Sequence, residues 1–582
     1  PLTPVENFEI TRALARFHGA AMDRAGQPYF TEEAYDDFYF GKGSTYPDIN
    51  GSIGILFEQK AIRGQELRTS NGIETFRTAV ANQLRVSLST LHGAWELRDR
   101  LKAYQSGFHD VMLTRAASRK YDAWIVGDDG DPGRARAFLE TLEMHHIEYR
   151  PLGETVRTGR HEFQPGHAWV IPVKQRQFGL LEGLMEQRTS FQDNTFYDVS
   201  AWTLPLAYNL PFSTVGSLPE SAQDTPSSQG LAPQDDAVAW IVPWTQIEAP
   251  ALLQSLLGAE ARVRAATRPF SAQTASGLVA FQAGALVIQD GIQEDEARDE
   301  VRRLLREAAL AGVQVESLHN TATPSGPDLG SRHFPRVRPV TPLILGGKDV
   351  TPYDAGEQWF LLDRRLAMAS PIIEQRYFGR AELDDYTHLL LADGEYAGLT
   401  AARKEEIVRW VRGGGILVTA GRAATWAEGL CFEQDAEACP EEEPDADMEP
   451  PPAGRAYGDF DDDRAKQVIG GAITATVLDL THPLAFGFRR PELPLFRRGT
   501  VELAASDNPY ATPVRYTPEP LMAGYIGEER LDAIRGAPAV IAEKHGKGLV
   551  VRFANNPLFR GFWRGTERLF INALYFGQLI DP

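Results

Sequence analysis

The fold is indicated most clearly by the stretch from Thr387 to Thr419, which reads THLLLADGEYAGLTAARKEEIVRWVRGGGILVT. It begins with an apolar run at 387–391 and ends with a second run at 415–419. Between them, apolar residues recur at helical spacing from Ala401 to Arg412. Short apolar runs bounded by glycine and polar turns are typical of buried strands, and two strands joined by a helix usually pair in parallel. The stretch therefore predicts a doubly wound, parallel α/β sheet.

The same alternation of apolar runs and helical segments continues on both sides of this stretch. The sequence thus predicts an α/β, multidomain chain with Rossmann- or flavodoxin-like parallel-sheet modules. No short internal repeat is evident. Changes in composition place the domain boundaries as a first segment at 1–105, an α/β module at 106–212, a linker or surface loop at 213–236, a second α/β part at 237–335, and a last domain at 336–582 with an acidic insertion at 433–463.

The charge of the chain argues against nucleic-acid partners. Its 582 residues include 59 Lys and Arg against 79 Asp and Glu, a formal net charge of −20. A negative surface repels phosphate backbones and anionic membranes. The insertion at 433–463, however, holds 13 acidic residues and one arginine, so most of the net charge lies there. The argument is therefore weaker for the folded modules than for the whole chain.

Features that report on the cellular compartment are few. No apolar run approaches the roughly 20 residues that span a bilayer, so we expect no membrane span. The first residues, from Pro1 to Ala34, do not resemble a secretory leader, and we expect that a segment upstream has been removed. Cys431 and Cys439 lie close together in a polar loop, which favours a local disulfide in an oxidising compartment. The alternative is a pair of reduced thiols.

The stretch from Ala34 to Gln59 carries the strongest catalytic signal. A loop rich in tyrosine and glycine leads into an apolar strand predicted at 51–57, which ends at Glu58, and a long amphipathic helix is predicted at 73–100. A carboxylate at the end of a buried strand is desolvated, which makes it a stronger proton acceptor and suits it to general base catalysis. The alternative is a structural Glu58 in an ion pair, for which Arg63 is a candidate partner.

These residues resemble a known family. The strand GSIGILFEQ at 51–59, the tyrosine loop before it and the helix after it are similar to the C-terminal part of a carboxypeptidase A-like zinc peptidase. The whole chain resembles the large bacterial zinc carboxypeptidases that carry further α/β modules. The strings that carry this wider resemblance are VSAWTLPL at 199–206, GPDLGS at 326–331 and PLFRGFWRGTER at 557–568.

The resemblance implies roles for particular residues. It implies that 1–105 is the C-terminal part of the peptidase domain, that Glu58 is the general base and then the general acid, and that Tyr39 or Tyr35 closes over the substrate, while Tyr46 is structural. It also implies hydrolysis of peptide bonds at C-terminal residues or in cell-wall peptides. Zinc is expected in the complete protein, but the zinc ligands and the Arg and Asn that bind the substrate carboxylate would lie upstream. This chain by itself is therefore expected to bind no catalytic zinc and to be inactive.

The partners and location follow from the same resemblance. We expect a peptide substrate, the upstream half of the peptidase domain as a partner, no nucleic acid, and self-association into a homo-oligomer as a further option. The expected location is periplasmic or secreted in a bacterium. The glycine-rich turn at 127–133 lacks the dinucleotide-binding spacing, so no nucleotide is expected.

The last domain resembles the class I glutamine amidotransferase-like fold, through the strand at 385–393 and the strand and turn GGGILVTAGR at 413–422. Active members carry a cysteine on the sharp turn after such a strand. Here the turn carries no thiol, and His388 and His545 have no nucleophile to serve. This favours an inactive module. The alternative to a peptidase is accordingly a non-catalytic binding or scaffold protein with a degenerate peptidase remnant.

Overall fold

The structure is a computed structural model that describes residues 2–31, 38–70, 72–159, 161–191, 196, 198–222, 232–432 and 454–581, with the backbone alone at 461–462. It is a mixed α/β, multidomain protein in which several separate sheets are combined with helices. None of the described helices is both long enough and apolar enough to cross a membrane.

Three helices and a hairpin form the N-terminal unit. Its elements are α1 (Val5–Asp23), β1 (Glu66–Thr69), β2 (Gly72–Thr75), α2 (Phe76–Glu96) and α3 (Arg98–Ala117). The predicted helix at 73–100 begins later, because Thr75 caps α2 by accepting a hydrogen bond from the Thr78 amide at 3.1 Å. The predicted boundary at 105 is wrong, because α3 continues past it and packs on α1 through Phe108 and Met112.

The segment predicted as a strand at 51–57 belongs to no sheet formed by the described residues, and it begins in a turn, with Gly51 at φ 80°. From Ile55 to Lys60 its side chains alternate between partly buried and exposed, which is the pattern of a strand with one covered face. A strand needs a hydrogen-bonded neighbour, and β1 and β2 pair with each other instead. The prediction of a strand was therefore wrong, and only the alternation of side-chain burial after Gly54 agrees with it.

Two successive modules have the same fold. Both contain a four-stranded sheet, and the orders β4-β7-β3-β8 and β10-β13-β9-β14 are equivalent. The first consists of β3 (Ala123–Gly127), α4 (Pro132–Met144), β4 (Arg150–Pro151), β5 (Val156–Thr158), β6 (His161–Phe163), β7 (Ala168–Pro172), α5 (Phe178–Met185), α6 (Leu204–Ala207) and β8 (Phe212–Val215). The second consists of β9 (Ala239–Val242), α7 (Ala249–Gly258), β10 (Val263–Ala265), β11 (Phe270–Thr274), β12 (Gly277–Phe281), β13 (Leu286–Gln289), α8 (Asp295–Leu310) and β14 (Glu316–Leu318).

The correspondence between these two modules extends to the register of the strands. Trp124 lies opposite Ile171 in the first module, and Trp240 lies opposite Ile288 in the second. Both central strands begin with Ala-Trp-Ile-Val, at 123–126 and at 239–242. We call these modules repeat 1 and repeat 2. Every strand pair in the four-stranded sheets of the two repeats is antiparallel, so the prediction of parallel sheets was wrong here. The reason is that β4 and β10 pair with the strand that follows the hairpin and not with the central strand.

The last domain is built on a nine-stranded sheet in the order β16-β15-β17-β18-β23-β22-β21-β19-β20. Its elements are β15 (Pro342–Gly346), α9 (Pro352–Phe360), β16 (Ile372–Glu374), β17 (His388–Leu391), α10 (Ala401–Gly413), β18 (Ile416–Ala420), α11 (Arg422–Glu428), α12 (Phe460–Gln467), β19 (Ala472–Leu478), β20 (Glu492–Arg497), β21 (Val514–Ala523), α13 (Glu528–Ile534), β22 (Pro538–His545), β23 (Gly548–Phe553) and α14 (Glu567–Phe576). The first five strands in this order are parallel, which confirms the prediction for the stretch 387–419. The other four add an antiparallel half.

Several boundaries differ from those predicted. The linker predicted from 213 begins later, because Phe212–Val215 is the strand that completes the sheet of repeat 1. The acidic insertion at 433–463 falls largely outside the described residues, and its end leads into α12. Cys431 is disulfide-bonded, and Cys439, the other cysteine of the predicted pair, lies outside the described residues.

Buried and partly buried polar contacts connect the two repeats to each other and to the last domain. Arg490 of the last domain donates to Asp129 of repeat 1 at 2.9 Å. Asp131 of repeat 1 accepts a hydrogen bond from the Ile247 amide of repeat 2 at 3.1 Å. Arg568, 7% exposed, donates to the backbone carbonyls of Trp244 and Gln246. Because removing one partner would leave the other buried and unpaired, these contacts favour one arrangement of the modules.

Candidate functional site

Glu58 lies on the outward side of the segment 53–60. Its side chain is exposed, so the prediction of a carboxylate desolvated at the end of a buried strand was wrong. Glu58 also forms no hydrogen bond or ion pair with any described residue, including Arg63, its candidate partner. The inward side is held in place, since Phe57 contacts the edge of His18 at 4.8 Å and its carbonyl accepts a hydrogen bond from Gln83 Nε2 at 3.3 Å. The segment therefore presents Glu58 from a supported backbone, while neither edge of that backbone pairs with a described strand.

The helix α2, which packs beside this segment, has two different faces. Val86, Ser89 and Gly93 are buried, and a Cβ added at Gly93 would lie 3.0 Å from Leu14 of α1, so this face is in close contact with α1. The opposite face carries large apolar side chains that remain 51–69% exposed, together with one from β2. We call this set the apolar face of α2: Ile73, Phe76, Val80, Leu84, Leu88, Leu91 and Trp95. Contiguous exposed apolar surface of this kind marks an interaction site.

The tyrosines predicted near the substrate lie in different surroundings. Tyr39 is packed into an aromatic cluster, with its ring 5.1 Å from Trp202 and 5.4 Å from the guanidinium of Arg560. Burial raises the pKa of Tyr39, which Arg560 partly offsets. Tyr35 lies outside the described residues. The Tyr46 hydroxyl is 2.6 Å from His145 Nδ1, so it joins the loop to repeat 1. Tyr39 is thus held by repeat 1 and the last domain, and its contacts within the described residues do not reach Glu58.

The residues that the structure describes contain no group of three or more His, Cys, Asp and Glu that could hold a metal ion. A structural or catalytic zinc site needs at least three protein ligands. The zinc implied by the resemblance therefore does not fit the donor groups of the described residues.

A second candidate site lies at the carboxyl ends of the parallel strands in the last domain, where open α/β sheets usually bind ligands. The turn after β18 places Gly421 at φ 61° and ψ −134°, a backbone conformation that favours glycine. This is the position where the amidotransferase resemblance would place a nucleophile. A Cβ at Gly421 would lie 2.5 Å from Asp393 Oδ1. The sharp turn is thus present, but the space for a nucleophilic side chain is occupied by a carboxylate.

Asp393 is held by charge-assisted hydrogen bonds. Arg422 donates to it from its backbone amide at 2.9 Å and from Nη2 at 2.9 Å, and Thr351 Oγ1 donates at 2.8 Å. Burial alone would raise the pKa of Asp393, but these hydrogen bonds keep it below its ordinary value. The carboxylate therefore remains ionised and acts as a bridge between the loops after β15, β17 and β18.

Two further carboxyl groups on α9 were missed by sequence reasoning. Burial and the neighbouring Asp354 raise the pKa of Glu357 to about 7. Glu357 accepts hydrogen bonds from Asn556 Nδ2 and, at 2.6 Å, from the Arg560 amide. Burial also raises the pKa of Asp354. The available signal was their spacing of three residues on the helix that follows β15, which places both on the same face of that helix.

The histidines considered for the last domain have structural surroundings. His388 is 3% exposed, and its Nδ1 is 2.8 Å from Thr387 Oγ1. Burial lowers the pKa of His388 to about 4, so it is neutral at physiological pH. His545 stacks on Phe432, with ring centroids 4.2 Å apart. Among the described residues, the contacts of the two histidines are with Thr387 and Phe432 and not with Gly421.

Comparisons with known proteins leave the family open. No protein-family model and no curated protein matches the chain. Among solved structures, a β-galactosidase from Bacillus circulans sp. alkalophilus is 13% identical, covering 40% of this chain and 30% of the enzyme, with a TM-score of 0.20. A ThuA-like protein from Bacteroides uniformis is 13% identical over 40% of this chain and 89% of its own, with a TM-score of 0.23. A cytoplasmic protein from Salmonella typhimurium is 15% identical over 40% and 97%, with a TM-score of 0.23. This chain thus spans about a third of the galactosidase, and similarities at this level establish neither fold nor function.

Proposed function

We propose that this chain forms the C-terminal part of a zinc metallocarboxypeptidase, in which Glu58 is the general base and then the general acid. The complete protein would hydrolyse peptide bonds at C-terminal residues or in cell-wall peptides, and would act in the periplasm or outside a bacterial cell. The proposal rests on the sequence resemblance around 51–59 and on one structural observation. The segment 53–60, which carries Glu58, and the apolar face of α2 beside it both lack a packing partner among the described residues.

Two surfaces of this part of the N-terminal unit are therefore open to a partner. The segment 53–60 pairs with no strand of the described residues, and its backbone hydrogen bonds to them are single contacts, from the Gly54 amide to Asp48 and from Gln83 to the Phe57 carbonyl. The apolar face of α2 is exposed. Fully burying a Leu or Phe side chain stabilises a protein by about 1.5–3 kcal/mol, so covering the remaining half or more of these seven would contribute about 6–12 kcal/mol. A sheet that pairs with the segment and a layer that covers the helix would satisfy both, which is how α/β domains are built.

The proposed occupant is the upstream half of the same peptidase domain. Since the donor groups of the described residues do not fit a zinc site, the metal ligands would come from that half, where zinc would polarise the scissile carbonyl and activate water. This chain would contribute Glu58, whose backbone is held in place by Phe57. Glu58 would take a proton from the attacking water and then give a proton to the leaving amine.

The test uses the longer polypeptide encoded with the segment upstream of Pro1. We expect zinc at about one equivalent per chain and hydrolysis of C-terminal peptide substrates. Glu58→Gln should reduce kcat by about 10²–10⁴-fold with zinc content unchanged, because proton transfer is lost. Glu66→Gln, the same change on the exposed hairpin, is the matched control and should leave kcat unchanged. A longer protein without zinc, or hydrolysis that Glu58→Gln does not affect, would contradict the proposal.

The second candidate is a non-catalytic binding or scaffold protein. It is favoured by the contact between Gly421 and Asp393, which leaves no room for a nucleophile in the last domain. In that case the whole chain should bind a cell-wall polysaccharide or a protein partner saturably, and the longer polypeptide should show no zinc-dependent turnover. Turnover that depends on Glu58 would exclude this reading for the complete protein.

A further inference from the structure

The edge of the sheet in repeat 2 is covered by a segment that comes later in the chain, at 333–337. This segment runs antiparallel to β10, and the Ala265 amide donates to the Pro335 carbonyl at 3.0 Å. Arg264 of β10 and Arg336 of the segment lie directly opposite each other. Because cross-strand neighbours are close together, two like charges at such a position are destabilising.

Further arginines lie along the same two strands. Arg338 is exposed like Arg336, while Val337 between them is buried, so both arginines point outward. Arg268 and Arg332 lie at the other end of the segment, where partial burial lowers the pKa of a neighbouring histidine and the charges of these two arginines lower it further. We call the four exposed residues the arginine strip: Arg268, Arg332, Arg336 and Arg338.

The side chains of the arginine strip are not engaged by the chain itself. Within the part of the chain that the structure describes, they form no hydrogen bond, ion pair or ring contact. The other two arginines of this edge are occupied, since Arg262 pairs with Glu294 and Arg264 donates to the Phe334 carbonyl at 3.2 Å. In a chain with a formal net charge of −20, the strip is a local excess of positive charge that is accessible to an anion.

Repeat 1 shows that the fold does not require these arginines. The end of β4, the equivalent of β10, is covered in the same way by a later segment, in which Ser221 lies opposite Leu152. The charged residue next to Ser221 is Glu220, an acid. The pair of opposed arginines is thus specific to repeat 2, and a bound anion would offset the repulsion within it.

The chemistry of the strip favours carboxylates carried on an extended chain. The planar guanidinium group matches a carboxylate with two parallel hydrogen bonds. Alternate side chains of an extended peptide point to the same side at intervals of about 7 Å, which suits Arg336 and Arg338, two residues apart on their own segment. A nucleic-acid strand is usually held by exposed aromatic rings as well, but Phe334, which lies between the two ends of the strip, is buried.

We propose that the arginine strip binds an extended acidic segment of a partner protein, whose carboxylates accept hydrogen bonds from the four guanidinium groups. The strip belongs to repeat 2 and shares no residue with the segment that carries Glu58. The proposal is therefore independent of the peptidase proposal.

The experiment measures binding of a labelled peptide of alternating Glu and Ser, about eight residues long, to the 582-residue chain by fluorescence anisotropy. A peptide of alternating Gln and Ser is the uncharged probe of the same length. We expect saturable binding of the acidic peptide that weakens as salt is added, and binding of the uncharged peptide that is at least about tenfold weaker. The double variant Arg336→Gln with Arg338→Gln should weaken binding of the acidic peptide by about fivefold or more.

The matched control is the double variant Arg303→Gln with Arg306→Gln on α8, which removes the same charge from the same module. Both of these arginines already pair with acidic residues, so the control should bind the peptide normally. The strip variant should unfold at no lower temperature than the wild type, because it removes one of two opposed like charges.

Four results would overturn the proposal. They are absence of saturable binding at about 1 mM acidic peptide, equal affinity for the uncharged peptide, an equal loss of affinity in the strip variant and in the α8 control, and tighter binding of an oligouridylate of the same length than of the acidic peptide. The last result would assign the strip to nucleic acid instead.

Discussion

The apolar face of α2 leads to a sharp prediction about two positions on the same helix. Val86 points towards α1 and is 8% exposed, whereas Leu88 is 57% exposed. Val86→Asp should cost about 3–4 kcal/mol, since it loses the burial of an apolar side chain and places a carboxylate among apolar neighbours. Leu88→Asp should cost about 0.5 kcal/mol, which is the difference in helix propensity at an exposed site.

The measurement is the free energy of local opening of α2, obtained from hydrogen exchange of its backbone amides. This quantity is preferable to global unfolding because a chain with several domains need not unfold in two states. Leu88→Asp should also reduce self-association in sedimentation experiments, because it breaks an exposed apolar patch. A loss of more than about 2 kcal/mol for Leu88→Asp would show that this face is covered within the chain, and the reasoning about an absent partner would then fail.

Three further predictions concern other parts of the chain. Glu357→Gln should stabilise the last domain at pH 8 by about 2–3 kcal/mol. The folded-state pKa of Glu357, about 7, lies above the ordinary value of 4.5, so the stability of the wild type falls as the pH rises from about 4.5 to 7. Thermal unfolding at pH 5 and 8 should show a smaller change of stability with pH for the variant, and an equal change in both proteins would contradict this prediction. Gly421→Ala should cost about 2–3 kcal/mol through its positive φ and its approach to Asp393, whereas Gly536→Ala, which has a positive φ but open space around it, should cost only about 1 kcal/mol in urea unfolding. Thr75→Ala should cost about 1 kcal/mol through the lost cap of α2, to be seen as faster hydrogen exchange in its first turn and restored by Thr75→Ser.

The parallel half of the last domain could be predicted from sequence because its signals are local. In the stretch 387–419, strand, helix and strand each have a clear period, and the connection between them permits only parallel pairing. The antiparallel sheets of the two repeats were missed because the strand that pairs with β4 or β10 comes after a hairpin, and no local period reports which strands will pair.

The two repeats were missed because the identical sequence at their equivalent central strands is limited to the four residues Ala-Trp-Ile-Val. The equivalence of Trp124 and Trp240 is visible only through strand register. The candidate site was predicted in part. The alternation of side-chain burial around Glu58 agrees with the sequence pattern, but the lack of a paired strand depends on what lies next to the segment in space. The packing of Tyr39 against Arg560 joins residues too distant in sequence for any local pattern to report.

The duplication has a consequence for how the chain reaches its native state. Two modules with the same strand order and the same register can exchange equivalent strands during folding, as neighbouring similar domains are prone to do. Strand β14 could dock beside β3, and β8 beside β9, and each wrong pairing would satisfy the backbone of the central strand. The side chains distinguish the correct partners from the wrong ones, since Thr214 lies opposite Trp124 in repeat 1 but Ser317 lies opposite Trp240 in repeat 2. The helices that cover the two sheets also differ twofold in length. The sequence divergence between the repeats thus limits misassembly, and making their strands more alike should slow refolding and increase domain-swapped oligomers.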